Sequence, residues 1–376
     1  CEPQAIRGAL KSTTKGSKAP AYARGGGSVS ESARAQSASF YTPSWVVAQA
    51  LEESLKPLSE ACRGEGELLA LSALDPSCGG GAFLLGALHS LSARLCELQS
   101  GVQDAPQNTA QALLSVAERC LYGVDVSPQA VELTRLTLFE RVASAFAQEQ
   151  AQESAEAQPL EPELQRALRG LAQRLQAHVL CADALTFAPK KRRAQTSHAT
   201  ERPLWCERLR AHAHEGHQAE RSPLERGGFS VVIGNPPYID SERMSKAQPK
   251  LRERLSERFE SCVGNWDLYI PFVELSLRLL SPQGRLALVL PRQVMSAGYA
   301  AGLQALLLRQ EALKVIDYGE LELFEGASVR ALTLIVSPRP TSSAQGAPQG
   351  AHLNVSVVSE RSQAPKHLRR ASAQAL

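Results

Sequence analysis

The segment at residues 234–238, Gly-Asn-Pro-Pro-Tyr, places an amide, two prolines and an aromatic ring directly after an apolar run. Pro236 and Pro237 cannot donate to a sheet ladder, so a strand that enters this segment must end there. The Asn235 side-chain oxygen and the Pro236 carbonyl can accept hydrogen bonds from both N–H bonds of a planar amine, and Tyr238 offers a stacking face. The pattern predicts a site for a flat amino-bearing ring. The alternative is a strand-ending turn stiffened by its prolines.

Residues 74–84, Leu-Asp-Pro-Ser-Cys-Gly-Gly-Gly-Ala-Phe-Leu, indicate a strand end, a glycine-rich turn and a helix start. Glycines in such a turn let the backbone approach a ligand that the helix N-terminus also faces. The spacing is neither Gly-x-Gly-x-x-Gly nor that of a P-loop, and an acid at Asp75 would repel a phosphate. A cationic or amino-bearing ligand suits the turn better. The alternative is an ordinary glycine-rich turn.

Two further acids follow apolar runs, Asp125 within residues 122–128 and Asp183 within residues 181–185. A carboxylate at a strand tip can accept both hydroxyls of a ribose, which is the predicted role of Asp125. It lies about forty-five residues after the glycines, against roughly twenty in dinucleotide folds, so residues 97–115 must then loop out as an insertion. Helix capping is the alternative for Asp125, and an ordinary strand-end acid is the alternative for Asp183.

These motifs require a scaffold that brings several strand ends to one edge. Short apolar runs alternate with amphipathic segments, a pattern typical of an α/β fold with a mostly parallel sheet covered by helices on both faces. Ligands of such sheets bind outside the carboxyl ends of the strands, where each motif lies. Thr42 is predicted to cap a helix with Pro43 at its first position, and Ser127 to cap a helix that starts at Pro128.

Composition divides the chain into a body and two polar ends. Residues 1–38 lack periodicity and are predicted to be disordered, whereas residues 39–337 are predicted to form one domain. Surface insertions are predicted at about 143–170, which is rich in Ala, Gln and Glu, and at 189–227, which is basic and rich in His. Residues 338–376 are predicted to be a polar tail with one candidate strand, Leu-Asn-Val-Ser-Val-Val.

The overall composition narrows the class of protein. Of 376 residues, 43% are hydrophobic and 21% charged, which is typical of a globular chain, and a net charge of +3 permits a polyanionic partner without requiring one. The eight scattered cysteines form no Cys-x-x-Cys pair, so we expect neither a zinc ribbon nor a disulfide scaffold, and a reducing cytoplasmic location. The histidines of residues 212–217 lack metal-site spacing, so no metal is predicted. No run of eighteen apolar residues suggests a membrane span.

Taken in order, a series of segments resembles the adenine-N6 DNA methyltransferases. The segments are YTP, DPSCGGGAFL, GVDVSPQAV, ADAL, GNPPYI, DLYIPFVE, LLSPQGRLALVLP and VIDYGELELFEGASVRALTLIV, and they cover about residues 38–337. The most similar subgroup includes type IIG restriction–modification enzymes and phage-defence methylases. The resemblance implies the class I S-adenosylmethionine-dependent fold, a doubly wound, mostly parallel sheet of seven strands with helices on both faces.

The resemblance also implies S-adenosylmethionine as cofactor and a flipped adenine of DNA as the methyl acceptor. It places Thr42 and Pro43 near the methionine end of the cofactor, Asp125 at its ribose and Asp183 at its adenine. The implied cofactor residues are Thr42, Pro43, Asp75, Cys78, Gly79, Phe83, Asp125 and Asp183, and the implied catalytic residues are Asn235, Pro236, Pro237 and Tyr238. The methyl group would pass directly to the amine without a covalent enzyme intermediate, by alignment and electrostatics.

Three alternatives to a complete DNA methylase stay open. A glutamine-N5 protein methyltransferase or an RNA base methyltransferase faces the same poorly nucleophilic nitrogen and can use the same Asn-Pro-Pro-Tyr turn. A non-catalytic remnant would bind cofactor or DNA without turnover. The chain starts with Cys1, ends about forty residues after the last catalytic-domain segment and shows no nuclease motif before residue 40. We therefore expect a truncated product, whose tail begins a missing recognition domain, or one that works with a specificity or nuclease subunit.

Overall fold

A computed structural model describes the chain over eight ranges. They are residues 42–101, 109–153, 161–187, 202–214, 221–321, 323–324, 329–338 and 352–357. The predicted disordered segment at residues 1–38 lies outside the described residues, as does most of the predicted tail at residues 338–376. None of the described helices combines the length and the apolar character needed to cross a membrane.

Eight strands form one sheet in the order β3-β2-β1-β4-β5-β7-β6-β8. They are β1 Ala73–Asp75, β2 Leu121–Asp125, β3 Val179–Cys181, β4 Phe229–Gly234, β5 Leu280–Pro291, β6 Ala312–Asp317, β7 Ala331–Ser337 and β8 His352–Val357. Strands β1 to β5 pair in parallel, and β7 is antiparallel to both β5 and β6. The predicted doubly wound, mostly parallel sheet is confirmed. The candidate strand of the tail adds β8, parallel to β6, to the seven strands expected.

Helices cover both faces of this sheet. They are α1 Ser44–Ser54, α2 Lys56–Ala61, α3 Glu65–Leu69, α4 Ala82–Ser100, α5 Ala110–Arg119, α6 Pro128–Glu153, α7 Pro162–His178, α8 Trp205–His214, α9 Ser241–Ala247, α10 Pro249–Ser256, α11 Tyr269–Leu279 and α12 Ala301–Leu307. Alternate strand residues enter opposite cores: Val231 and Ile233 pack on one face of β4 and Val232 on the other. A strand buried on both faces has no polar side to show, which explains its continuous apolar run.

The two predicted helix caps have different outcomes. The Ala130 N–H donates to the Ser127 hydroxyl over 3.3 Å, and α6 begins at Pro128, so the second cap is confirmed. The first prediction is wrong, because Pro43 itself is the N-cap residue of α1 and no side chain caps this helix. The hydroxyl of Thr42 instead accepts a hydrogen bond from Asn235, far away in the sequence.

The described parts of the predicted insertions contribute to the cores. Of the stretch at about 143–170, residues 143–153 form the end of α6 and residues 162–170 the first half of α7, and Ala145 is buried. The basic stretch at residues 189–227 contains α8, whose Trp205 is 2% exposed and donates its indole N–H to the Ala184 carbonyl over 3.2 Å. The prediction of a surface loop is therefore wrong at α8, because three side chains of its first two turns, Trp205, Cys206 and Leu209, are buried in one core. Residues 97–115 likewise include the first six residues of α5, which is a packed helix.

Candidate functional site

The carboxyl ends of β1, β2 and β4 meet at one edge of the sheet. Leu74 pairs with both Tyr122 and Val232, so the residues after these three positions lie side by side. The Ser77 hydroxyl donates to the main-chain carbonyl of Asn235 over 3.3 Å, which joins the glycine-rich turn to the Asn-Pro-Pro-Tyr segment. The sequence motifs are therefore neighbours in space.

The glycine-rich turn between β1 and α4 uses backbone conformations that favour glycine. Gly79 has φ +52° and Gly81 has φ +83°, both in the left-handed region. A Cβ atom on Gly81 would lie 3.0 Å from the Thr134 Cγ2 atom, and the Thr134 hydroxyl donates to the Gly79 carbonyl over 2.8 Å. Helix α6 thus supports the turn from behind and leaves no space for a side chain at Gly81.

Cys78 and Phe83, which the resemblance placed in the cofactor pocket, point their side chains into the core. Cys78 is 5% exposed, Phe83 is 3% exposed, and the Cys78 thiol lies 3.8 Å from the Thr134 hydroxyl. Burial, with smaller effects of nearby carboxylates, raises the pKa of the Cys78 thiol well above its ordinary value. These two side chains support the turn, so contact with a ligand at Cys78 would come from its backbone.

Asp125 ties the tip of β2 to the glycine-rich turn. One carboxylate oxygen accepts the Gly79 N–H over 2.9 Å, and the other accepts the Ser127 N–H over 2.8 Å. Burial raises the pKa of Asp125, and these backbone N–H groups oppose the shift. Each oxygen retains acceptor capacity for a hydroxyl. The next residue, Val126, has an exposed apolar side chain. It was not predicted as a site residue, although its position directly after a strand-end acid could be seen in the sequence.

Asp183 lies two residues after β3, the neighbour of β2. Its carboxylate oxygens accept the Leu185 N–H over 2.9 Å and the Thr186 hydroxyl over 3.0 Å. The carboxylate thus stabilises the turn that follows β3. This is the role expected of an ordinary strand-end acid. It nevertheless lies at the same edge of the sheet as Asp125, because Asp125 pairs with Cys181.

Asp75, at the end of β1, is 1% exposed and accepts the Ser77 N–H over 3.0 Å. Burial raises its pKa to about 8, and the nearby Asp125 contributes in the same direction. The side chain is therefore mostly protonated at neutral pH, which corrects the simple picture of a charged acid that repels phosphate. A cationic ligand nearby would favour its ionised form.

The amide of Asn235 forms one hydrogen bond and leaves its oxygen unused. Its Nδ2 atom donates to the Thr42 hydroxyl over 3.2 Å, whereas Oδ1 is buried and has no hydrogen-bond partner among the described residues. A buried acceptor without a donor is costly in a native fold, so Oδ1 is available to a group that brings an N–H or O–H. Nor does any described group donate to the adjacent carbonyl of Pro236.

Tyr238 forms part of a cluster of aromatic rings beside this amide. Its ring is half-buried and contacts Tyr269 and Phe324 edge-on, at centroid distances of 6.3 and 6.0 Å. Burial raises the pKa of the Tyr238 phenol well above its ordinary value, so this hydroxyl stays protonated. The ring is less exposed than the sequence suggested. Phe324 was missed, although its segment carried part of the resemblance.

A second layer of polar groups holds the Tyr238 segment in place. The Tyr269 hydroxyl donates to the Tyr299 hydroxyl over 3.1 Å, and Asp267 accepts the Ser241 N–H over 3.0 Å. Burial raises the pKa of Asp267, while the Ser241 N–H opposes that shift. Trp266, Ile270 and Phe272 of the same segment are buried. Among the described residues, no three His, Cys, Asp or Glu side chains converge as a metal site.

Comparison with known proteins finds one family model, the Eco57I restriction-modification methylase, which matches residues 119–324. The type II restriction enzyme and methyltransferase RM.Eco57I of Escherichia coli is 21% identical over 308 residues, which cover 79% of this chain and 27% of that protein. The adenine-specific methyltransferase PglX of Streptomyces coelicolor is 29% identical over 247 residues, which cover 65% of this chain and 18% of that protein.

The fold also matches a solved structure. A cryo-electron-microscopy structure of a DrdV–DNA complex has a TM-score of 0.54 with this chain at 13% sequence identity, covering 87% of this chain and 28% of that one. At this identity the likeness concerns the fold alone. The chain spans less than a third of the length of each of these three relatives.

Proposed function

Because the chain belongs to the Eco57I restriction-modification methylase family, we propose that it methylates the N6 amino group of adenine in DNA with S-adenosylmethionine as donor. Its setting would be restriction–modification or phage defence. The observation that carries the proposal is the buried Oδ1 of Asn235, which has no hydrogen-bond partner among the described residues. The carbonyl of the next residue, Pro236, receives no hydrogen bond from a described backbone group either. Two acceptors on adjacent residues suit an amine that has two N–H bonds.

The residues at the glycine-rich turn fit S-adenosylmethionine. Gly79 has a left-handed backbone and no side chain, so a ligand can approach its backbone, and Asp125 at its side can accept ribose hydroxyls. Asp183 is proposed to contact the adenine and Pro43 the methionine end. When bound, the cofactor supplies a methyl group activated by a cationic sulfonium, which suits Asp75 and the nearby carbonyls better than an anion would.

Within this site, the chain's own residues align the acceptor amine. An exocyclic adenine amine is a poor nucleophile, because its lone pair is delocalised into the ring. Hydrogen bonds to Asn235 Oδ1 and to the Pro236 carbonyl would draw the nitrogen toward a tetrahedral geometry and stabilise the positive charge that develops on it. The rate then depends on alignment, and no general base with a matched pKa is required.

The aromatic cluster is proposed to hold the flipped base. Tyr238 offers the partly exposed ring, while Tyr269 and Phe324 fix its position from the side. Stacking on an aromatic ring is worth about 1–3 kcal/mol per base and compensates for part of the cost of taking the base out of the duplex. Pro237 keeps the segment between the amide and the ring stiff.

The domain boundaries and the partners of the chain are also part of the proposal. Residues 39–337 would form the catalytic domain, and the polar residues 338–376 would begin a recognition region. A specificity or nuclease subunit is the proposed partner if this chain acts without further domains. The RNA and protein-glutamine alternatives would use the same two acceptors, Asn235 Oδ1 and the Pro236 carbonyl. The relatives' names, which specify restriction and adenine, favour DNA.

A methyl-transfer assay with three acceptors tests this proposal. The purified chain is first titrated with S-adenosylmethionine by calorimetry, then incubated with labelled cofactor and duplex DNA, RNA or a glutamine-bearing protein acceptor. We expect cofactor binding and label in DNA. Label in RNA or protein alone would replace DNA by that acceptor, and cofactor binding without transfer to any acceptor would identify a non-catalytic remnant.

A further inference from the structure

The orientation of the Asn235 amide decides whether the proposed site can accept a target amine. A primary amide presents an acceptor on one side and a donor on the other, and a half-turn about its last torsion exchanges them. With Nδ2 toward the substrate, two donors would face each other and the amine would be repelled. Productive binding therefore requires an interaction that holds the amide with Oδ1 toward the substrate.

The hydroxyl of Thr42 is positioned to provide that interaction. Its hydroxyl lies 3.2 Å from Asn235 Nδ2, and its side chain is 4% exposed, so water competes poorly for this hydrogen bond. The remaining amide atom, Oδ1, is left buried and unpartnered within the described structure. Both observations describe one orientation of the amide, with Nδ2 toward the Thr42 hydroxyl and Oδ1 away from it.

The position of Thr42 is fixed by the helix that follows. The Pro43 carbonyl accepts the N–H groups of Val46 and Val47 over 3.0 and 3.2 Å, and both valine side chains are buried in the core. The Asn235 backbone is held separately by the Ser77 hydroxyl. Anchors on two different elements therefore fix the main chain and the side chain of Asn235.

We propose that Thr42 is a positioning residue for methyl transfer, whose hydroxyl accepts the Asn235 Nδ2–H and so presents Oδ1 to the acceptor amine. The proposal rests on the proposed function, and it assigns Thr42 a role toward the target base in place of the cofactor contact implied by the family resemblance. Catalytic contact remains with Asn235; Thr42 acts only through it.

Two substitutions separate this role from others. Thr42→Val keeps the shape of the side chain and removes the hydroxyl, whereas Thr42→Ser keeps the hydroxyl. We expect Thr42→Val to lower the single-turnover rate of DNA methylation by about 10²-fold, the effect of a small misalignment. The dissociation constant for S-adenosylmethionine should change less than about twofold, and Thr42→Ser should restore most of the rate.

A spectroscopic measurement tests the contact without relying on activity. The chain contains four asparagines, so selective ¹⁵N-asparagine labelling gives four side-chain amide signals, and Asn235→Gln assigns the one of interest. In the wild-type chain we expect the Asn235 Nδ2 protons to exchange slowly with solvent. In Thr42→Val they should shift and exchange at least about tenfold faster, as expected when a buried hydrogen bond is lost.

The outcomes distinguish the inference from the function it rests on. Unchanged amide signals and rate in Thr42→Val would overturn the positioning role, and weaker cofactor binding at an unchanged rate would return Thr42 to the cofactor site. A donor role for Thr42 toward Oδ1 would appear as Nδ2 protons insensitive to Thr42→Val, and it also overturns the inference. If the wild-type chain transfers no methyl to DNA, the proposed function fails while the amide signals still decide the contact.

Discussion

A Cβ atom added to Gly234 would lie 2.5 Å from the Asp75 Oδ1 atom and 3.0 Å from its Cγ. Real Cβ atoms do not approach other heavy atoms this closely, so β1 and β4 pack the acid against the strand end with no space to spare. Gly234, which directly precedes Asn235, therefore also packs against the Asp75 carboxyl. This contact packs the strand end that leads to Asn235 against the strand end that leads to the glycine-rich turn.

Gly234→Ala is expected to destabilise the fold by about 1–3 kcal/mol, the usual effect of an overpacked site, because Asp75 or the strand end must move. Urea denaturation followed by circular dichroism measures the free energy of unfolding. Gly66→Ala is the matched control, since a Cβ atom added to Gly66 in α3 would meet no atom within 4 Å, and it should be neutral or slightly stabilising. Equal effects of the two substitutions would contradict the close contact.

The buried carboxyl of Asp75 predicts a pH dependence of stability. Its pKa in the folded chain is about 8, against an ordinary value near 4, so the folded state holds the proton more tightly. The resulting stabilisation is complete below about pH 4 and is lost as pH rises toward 8, by up to ~1.4 kcal/mol per pH unit. Asp75→Asn, which stays neutral, should flatten this slope in urea denaturation between pH 5 and 8.

Asp240→Asn serves as the control for that experiment. Asp240 is exposed and caps α9 by accepting the Arg243 N–H over 2.8 Å, a role that asparagine can also fill. The pH profile of this variant should follow that of the wild-type chain. A wild-type slope that survives Asp75→Asn would show that another group causes it.

Asp125→Ala should weaken cofactor binding by at least about tenfold, equivalent to ~1.4 kcal/mol. The substitution removes the acceptor of the Gly79 N–H, so the glycine-rich turn loses its anchor to β2, and it removes the proposed ribose acceptor. Calorimetric titration with S-adenosylmethionine measures the change. The exposed Asp240→Ala should leave affinity unaltered, and an Asp125→Ala chain of full affinity would place the cofactor elsewhere.

Tyr238→Ala should weaken the capture of a flipped base by about 1–3 kcal/mol, the value of one aromatic stack. Duplex DNA with 2-aminopurine at the target position reports this as fluorescence, which rises when the base leaves the stack. Tyr238→Phe keeps the ring and is expected to behave nearly as the wild-type chain. Equal fluorescence with the alanine and phenylalanine variants would show that the ring takes no part in holding the base.

The sequence was sufficient to predict the edge of the sheet at which the motifs meet. Asp75, Asp125 and Asn235 each follow an apolar run, and parallel strands bring such ends together by geometry alone. The hydrogen bond between Thr42 and Asn235 could not be predicted, because a single polar pair separated by 193 positions leaves no periodic signal. Thr42 instead matched the local pattern of a helix cap, and tertiary structure overrode it.

The charge of Asp75 was likewise beyond the sequence. An aspartate after a strand is normally ionised, and only the approach of β4, with Gly234 against the carboxyl, shows the burial that raises its pKa. Trp205 illustrates the same limit in packing. Trp205 belongs to a short apolar group inside a basic stretch of the sequence. The composition of that stretch favoured a loop, whereas the fold has a helix that packs on the core.

The central claim is that Asn235 aligns an adenine amine for methyl transfer, and one assay tests it most directly. Wild-type and Asn235→Ala chains are incubated with tritiated S-adenosylmethionine and adenine-containing duplex DNA, and the digested nucleosides are separated by chromatography. The account predicts tritium in N6-methyldeoxyadenosine from the wild-type chain, a loss of at least about 10²-fold in the variant, and equal cofactor affinity. Tritium in cytosine, or an Asn235→Ala chain as active as wild type, would contradict it.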